Sequence, residues 1–183
     1  MRTNKEAIKK ILREAADRKI TRIAVFDFDG TLVNSPLADE GKLEYKEKTG
    51  KDWPYKGWWG RAQSLDMDIF DIKPLPSVLS AYKHERSNPD TLVIMLTGRI
   101  PALSKEVEKI LSTYGFSFDE YFYNTGGSTL TFKIHTLEKL LSQYPDVKSL
   151  VMWDDRLEHI EPFKAWGNSL ENIDFHITVV DGK

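Results

Sequence analysis

The chain alternates short apolar runs with stretches of helical periodicity. Residues 21–27 (TRIAVFD), 91–96 (TLVIML) and 148–153 (KSLVMW) are nearly continuous apolar runs. Runs of that kind suit strands buried on both faces. Residues 118–123 and 175–180 are weaker strand candidates. Thr3-Asn4-Lys5-Glu6 has capping-box spacing, and behind it Ile8, Ile11, Leu12 and Ala15 share a face, predicting an amphipathic helix that ends near Arg18. Leu103, Val107, Ile110, Leu111 and Tyr114 form a second face, closed by Gly115 as a C-terminal cap. Ile134, Leu137, Leu140, Leu141 and Tyr144 form a third, stopped by Pro145, and residues 76–86 make a less periodic one.

Strands alternating with helices at this spacing predict βαβ crossovers and a parallel sheet of about five strands with helices on both faces. Ligands of such sheets bind at the carboxyl ends of the strands. Asp27 and Asp29 follow the first run, Thr97 the second, and Asp154 and Asp155 the fourth. One segment breaks the rhythm. Residues 35–72 carry Gly41, Gly50, Pro54, Gly57 and Gly60 together with Trp53, Tyr55, Trp58 and Trp59, and are too long for an ordinary βα loop. The reading is one domain over 1–183 with a small cap inserted at 35–72.

Composition narrows the classes. At 183 residues with a net charge of -2, the chain is the size of one domain and lacks the charge of a strongly basic nucleic-acid clamp or a polybasic membrane anchor. Zero Cys excludes disulfides, thiolate metal sites and Cys nucleophiles. The N-terminus (MRTNKEAIKK) is too polar for a signal peptide, and nothing resembles a membrane span, so a soluble cytoplasmic protein without an evident obligate protein partner is expected.

The sharpest chemical signal is Asp27-Phe28-Asp29-Gly30-Thr31-Leu32, directly after a buried strand. Gly30 permits a sharp turn, so one carboxylate can be held as a nucleophile while the other serves proton transfer. A carboxylate attacks phosphorus poorly unless a metal offsets the repulsion between anions. Asp154 and Asp155, adjacent acids closing the run Leu150-Val151-Met152-Trp153, are costly there without a cation. Oxygen donors in a Cys-free chain favour Mg²⁺ over Zn²⁺. Thr97-Gly98-Arg99 offers a hydroxyl and backbone N–H groups to phosphoryl oxygens, and Lys133, before a helical pattern, can offset charge on a phosphate.

These elements, in order, resemble the four motifs of the haloacid dehalogenase-like (HAD) superfamily. The resemblance implies a three-layer α/β/α sandwich with a Rossmann-like parallel sheet, and phosphate monoester hydrolysis through an aspartyl-phosphate. It makes Asp27 the nucleophile and Asp29 the general acid/base, with Thr97 and Lys133 on the phosphoryl group. Mg²⁺ would be held by Asp27, the backbone carbonyl of Asp29, and an acid of the Asp154/Asp155 pair. The string Ser128 to Lys133, the Trp58-Trp59 pair, Tyr144-Pro145, and Trp153-Asp154-Asp155-Arg156 with His159 are similar to the HAD domain of Swiss Army Knife RNA-repair proteins. The Asp154-Asp155-Arg156 element also resembles the phosphatase half of polynucleotide kinase-phosphatases. That narrower resemblance implies RNA or DNA ends, or nucleotides, as substrates.

Several residues carry two readings. Gly98, Arg99 and Arg156 are candidate phosphate contacts, and the two arginines fit structural salt bridges equally well. Trp58 and Trp59 are candidate stacking surfaces for a base, against a segment that uses its aromatics as a core of its own. His159 has a packing reading beside a site one. Two further functions stay open: a phosphatase of small metabolites, and a binding or regulatory protein that keeps the fold without turnover.

Overall fold

The computed structural model describes residues 19–181. The helix expected between Thr3 and Arg18 lies outside them. Five parallel strands form one sheet in the order β3-β2-β1-β4-β5: β1 (Arg22–Phe26), β2 (Thr91–Thr97), β3 (Glu120–Tyr123), β4 (Ser149–Asp154) and β5 (Asp174–Val179). β1 is central, with Phe26 in register with Met95 on one side and Trp153 on the other. Its continuous apolar run follows from that position, because both faces and both edges are covered.

Alternate residues of each strand feed two cores. Ala24 and Phe26 of β1 and Val93 and Met95 of β2 point to one face. There they meet Val78 and Tyr82 of helix α2 (Pro76–Arg86) and Val107, Ile110 and Leu111 of helix α3 (Ser104–Thr113). Ile23 and Val25, with Leu92 and Ile94, point to the other face, against Leu137 and Leu140 of α4 (Thr129–Gln143) and Ile160 and Phe163 of α5 (Leu157–Asn168). The fold is therefore the expected three-layer α/β/α sandwich. Gly115, at φ 77, ends α3 as its position predicts.

Two helices escape the sequence pattern. α5 carries Pro162 in its interior and Gly167 in its last turn, which interrupt the apolar rhythm. Gly167 is needed nevertheless, since a Cβ there would lie 2.0 Å from the Phe175 ring of β5. Helix α1 (Ala38–Thr49), within 35–72, buries only Gly41 and is charged nearly all round. The rest of that segment does not form a separate core. Trp58, Leu65, Phe70 and Ile72 are buried in the same cluster as α2 and α3. Trp53 links Tyr45, Tyr55 and Trp58 through ring contacts of 4.7–5.1 Å, and Trp58 meets Phe70 at 5.5 Å. Among the described residues no helix is long and apolar enough to cross a membrane.

Candidate active site

The sheet runs outward from β1 in both directions, so its topological switch lies beside β1, at whose carboxyl end a crevice opens. Asp27 stands there, one residue past β1. Its N–H donates to the Trp153 carbonyl at 3.1 Å, prolonging the ladder with β4. The chain then leaves the sheet in a tight turn in which the N–H groups of Leu32 and Val33 donate to the Phe28 carbonyl at 3.1 and 3.2 Å. Gly30 sits in this turn at φ 65, and a Cβ there would lie 2.2 Å from Asp155 Oδ2. Glycine is required twice, by the left-handed backbone and by the close approach of that carboxylate.

Asp27 is 6% exposed. The Phe28 N–H donates to its Oδ1 at 2.8 Å, and its Oδ2 lies 3.0 Å from Lys133 Nζ. Lys133, in the second turn of α4, also donates to Asp154 Oδ2 at 2.6 Å. Asp154 is fully buried, and its remaining oxygen accepts from the Arg156 N–H at 3.0 Å. Asp155, one residue on, lines the open cleft, so the two adjacent acids occupy different environments.

One ammonium faces three carboxylates here, and the shortfall of positive charge raises the acids of the site. Burial raises the Asp27 carboxyl, Lys133 pulls it back, and Asp154, Asp155 and Asp29 push it up, with the balance at about 7. Burial, then the Asp154 charge, lifts Asp155 to about 6. Burial works to lower Lys133, but Asp27 and Asp154 outweigh it and raise the amine. Asp27, Asp154 and Asp155 each offer an oxygen, all within 4.8 Å of one another. Hard oxygen donors, an uncompensated negative charge and no competing nitrogen or sulfur in the cluster fit a small divalent cation such as Mg²⁺.

Asp29 is held separately. Arg99 grips it bidentately, Nε to Oδ2 and Nη2 to Oδ1, both at 2.8 Å. Ser35 Oγ donates to Oδ1 at 2.5 Å. Of its two sequence readings, Arg99 therefore takes the salt bridge, and it is 2% exposed. Thr97 is fully buried at the end of β2, its Oγ1 accepting from the Arg99 N–H at 3.1 Å. Gly98 lines the cleft and packs so closely on Thr129, the first residue of α4, that a Cβ would stand 3.0 Å from its methyl.

The cleft has a volume of about 1490 Å³, with Asp27, Asp29 and Asp155 among its lining and Trp59 and Arg156 on its walls. Trp59 is 41% exposed. The expectation for Trp58 is corrected: it is 3% exposed, its ring fills the space left by Gly41, and its indole N–H donates to the Pro36 carbonyl at 3.1 Å. No face of Trp58 is free for a base. The Arg156 guanidinium lies 3.8 Å from Glu158. His159 takes its packing reading: it is buried, meets the Phe163 ring edge-on, and burial followed by the Arg156 charge lowers its imidazole. Ser35, Ser64 and Thr129 touch site groups although nothing in their sequence context marks Ser35 or Ser64.

The sandwich with acids at the carboxyl end of its central strand defines the chain as a HAD-like domain. Residues 48–181 match the model of the HAD domain family 1 in Swiss Army Knife RNA repair proteins, and the chain belongs to that family. The uncharacterized protein YMR265C of Saccharomyces cerevisiae is 28% identical, over 86% of this chain and 39% of its own length. This chain thus spans about two-fifths of that relative. Among solved structures, a chain of the Pnkp1/Rnl/Hen1 RNA repair complex superposes with a TM-score of 0.56 at 20% identity, covering 89% of this chain and 44% of that one. The archaeal beta-phosphoglucomutase of Pyrococcus sp. Strain ST 04 gives 0.52 at 17% identity, over 85% and 92%. Both likenesses establish the fold.

Proposed function

We propose that this protein is a Mg²⁺-dependent phosphatase that hydrolyses phosphate monoesters through an aspartyl-phosphate, acting on nucleic-acid ends or nucleotides. The observation that carries the reading is the position of the Asp27 carboxylate at the switch point of the sheet, one oxygen fixed by the Phe28 N–H and the other 3.0 Å from Lys133. Asp27, the backbone carbonyl of Asp29 and Asp155 would hold the cation. Asp154, with both oxygens engaged by Lys133 and the Arg156 N–H, adds charge and keeps Lys133 in place. When bound, Mg²⁺ supplies charge that lets one anion approach another.

In the first step an oxygen of Asp27 forms a bond to phosphorus, the ester P–O bond breaks, and the leaving oxygen keeps the electron pair and takes a proton from Asp29. In the second, water attacks the same phosphorus and gives its proton to Asp29. The bond from phosphorus to Asp27 breaks, releasing inorganic phosphate and restoring the carboxylate. Lys133 balances the charge that moves between Asp27 and the phosphoryl oxygens, the Gly98 backbone binds those oxygens, and the buried Thr97 hydroxyl, accepting from the Arg99 N–H, would turn its own O–H towards them once phosphate is bound. Preorganised charge of this kind is the main catalytic contribution expected in phosphoryl transfer.

The substrate class rests on three supports. Trp59 offers an exposed aromatic face on the wall of a wide cleft, the family is named for RNA repair, and a chain of the Pnkp1/Rnl/Hen1 RNA repair complex shares the fold. A second reading, a phosphatase of small metabolites, is favoured by Glu40, Glu158 and Asp181 around the cleft. Those acids would repel the flanking phosphates of a polynucleotide.

The test is phosphate release, with Mg²⁺ and with EDTA. The panel holds an aryl phosphate, mononucleotides, sugar phosphates, and RNA and DNA oligomers phosphorylated at either end, with Asp27→Asn as control. Metal-dependent release that is lost in the variant and fastest on one class of end supports the full reading. Release confined to small molecules selects the second. No release from any member would remove the phosphatase reading and return the fold-without-turnover alternative.

A further inference from the structure

Arg99 is one of the largest side chains withdrawn from solvent in this protein. Its guanidinium does more than pair with Asp29. Nη1 donates to the Trp59 carbonyl at 2.9 Å and to Ser64 Oγ at 2.7 Å. The Trp59 ring lies over the same group, 5.0 Å from Cζ. A guanidinium has five N–H hydrogens, and these contacts leave only one, on Nη2, without a partner. The group is therefore built into the protein rather than presented to a phosphate. Its fork joins two things remote in sequence: the Asp29 carboxylate after β1, and the backbone and hydroxyl of the wall that carries Trp59.

We propose that Arg99 is a positioning residue that ties Asp29 to the Trp59–Ser64 wall of the cleft, so that the group which donates a proton to the leaving oxygen is placed by the surface that receives the leaving group. The inference rests on the phosphatase reading and on Asp29 as its general acid. A bidentate guanidinium fixes both the plane and the direction of a carboxylate, which a lysine at the same place cannot do. Ser35, at 2.5 Å from Oδ1, supplies the third anchor. Oδ1 of Asp29 accepts from both Arg99 and Ser35 while Oδ2 accepts from Arg99 alone, so the acid form carries its proton on Oδ2. When the ester P–O bond breaks, the electron pair stays on the leaving oxygen, which takes that proton as the bond from Asp27 to phosphorus forms. Misplacing Asp29 then matters in proportion to how much the leaving group needs that proton.

The experiment compares wild type, Arg99→Lys and Ser64→Ala on two substrates with Mg²⁺ present. One is 2,4-dinitrophenyl phosphate, whose leaving group departs without a proton. The other is β-glycerophosphate, whose alkoxide does not. Binding of inorganic phosphate is measured by calorimetry on the same proteins. For Arg99→Lys the expected kcat loss is about 100-fold on β-glycerophosphate, the lower range for general acid catalysis, and less than about 3-fold on the dinitrophenyl ester. Phosphate affinity should stay within about twofold, because four of the five Arg99 N–H groups are already taken by Asp29, the Trp59 carbonyl and Ser64. Ser64→Ala removes one of the two hydrogen bonds from Arg99 to the wall without touching Asp29, and should show the same asymmetry at roughly tenfold.

Equal losses on both substrates together with weakened phosphate binding would make Arg99 a phosphate ligand and overturn the proposal. So would unchanged kinetics in both variants. If Arg99→Lys melts at the assay temperature, Ser64→Ala carries the comparison by itself. Wild-type protein that turns over neither substrate is a different failure, that of the phosphatase reading, and it removes the inference with it.

Discussion

Lys133 and Asp154 meet at 2.6 Å with neither side chain more than 1% exposed. A charged pair so deep is stable only while both partners remain, because neither has water to turn to. Asp27 leans on the same ammonium at 3.0 Å. Lys133 is thus a structural counter-ion for two carboxylates before it is anything to a substrate. Lys133→Met should lower unfolding free energy by about 3–5 kcal/mol, the usual effect of orphaning a buried charge. Urea unfolding in EDTA reads this directly. Added Mg²⁺ should recover part of the loss, since a cation can replace some of the missing charge. A variant as stable as wild type in EDTA would mean that Asp27 and Asp154 are not ionised together in the folded protein.

The titration of the acids has a sign that separates metal-free from metal-loaded protein. Asp27 moves from 3.8 unfolded to about 7 folded, and Asp155 from 3.8 to about 6. Between these limits the folded state binds more protons than the unfolded one, so these groups stabilise the fold at acid pH and that contribution falls as pH rises from about 4 to about 7. Mg²⁺ requires the ionised carboxylates, so its stabilisation grows across the same window. The expected outcome is a gap between melting temperatures with Mg²⁺ and with EDTA that is small at pH 5 and widens towards pH 8. Parallel curves with a constant gap would place the binding groups elsewhere.

A site residue is legible in the sequence where it ends a periodic element. Asp27, Thr97 and Asp154 close or directly follow apolar strands, and the parallel sheet brings them to one end. Their convergence follows from topology alone. Lys133, expected just before a helix, stands in the second turn of α4, which begins at Thr129 because Ser128 caps it. Ser35 and Ser64 reach Asp29 and Arg99 through a segment with no usable period. α1 has so little apolar face that only Gly41 is buried. The Trp58-Trp59 pair shows the limit most clearly. Adjacent and chemically identical, one ring is seated against Gly41 and the other faces the cleft, and only the path of the backbone distinguishes them.

That difference gives a paired test. Trp58→Ala removes a buried ring that touches Trp53 and Phe70, and should destabilise by about 3–5 kcal/mol, as large aromatic truncations in cores do. Trp59→Ala forfeits an exposed face and a cation–π contact with Arg99, worth about 1 kcal/mol. Urea midpoints should therefore move far for position 58 and little for position 59. Kinetics should invert the order. If Trp59 stacks on a base, its loss should raise KM for a nucleotide by roughly tenfold, with simple alkyl phosphates unaffected. A KM shift common to nucleotides and alkyl phosphates would remove the stacking role while leaving the chemistry in place.

Gly30 offers the most local probe of the metal-binding acids. A methyl group at this position would lie 2.2 Å from Asp155 Oδ2 and 2.7 Å from Cγ, with the backbone already at φ 65. Gly30→Ala must therefore displace Asp155 or unwind the turn, and the strained backbone adds about 1 kcal/mol or more by itself. Because Asp27 is fixed by the β4 ladder and Lys133 from the far side, the displacement should fall mainly on Asp155. Mg²⁺ affinity by calorimetry should then drop by tenfold or more, at about the scale seen when a metal site loses its geometry. Asp155→Asn provides the reference, since it removes the charge without the steric push. If Gly30→Ala binds Mg²⁺ as wild type does while Asp155→Asn does not, the turn is softer than its contacts imply. If both bind normally, Asp155 is not a direct ligand, and Asp154 takes that place.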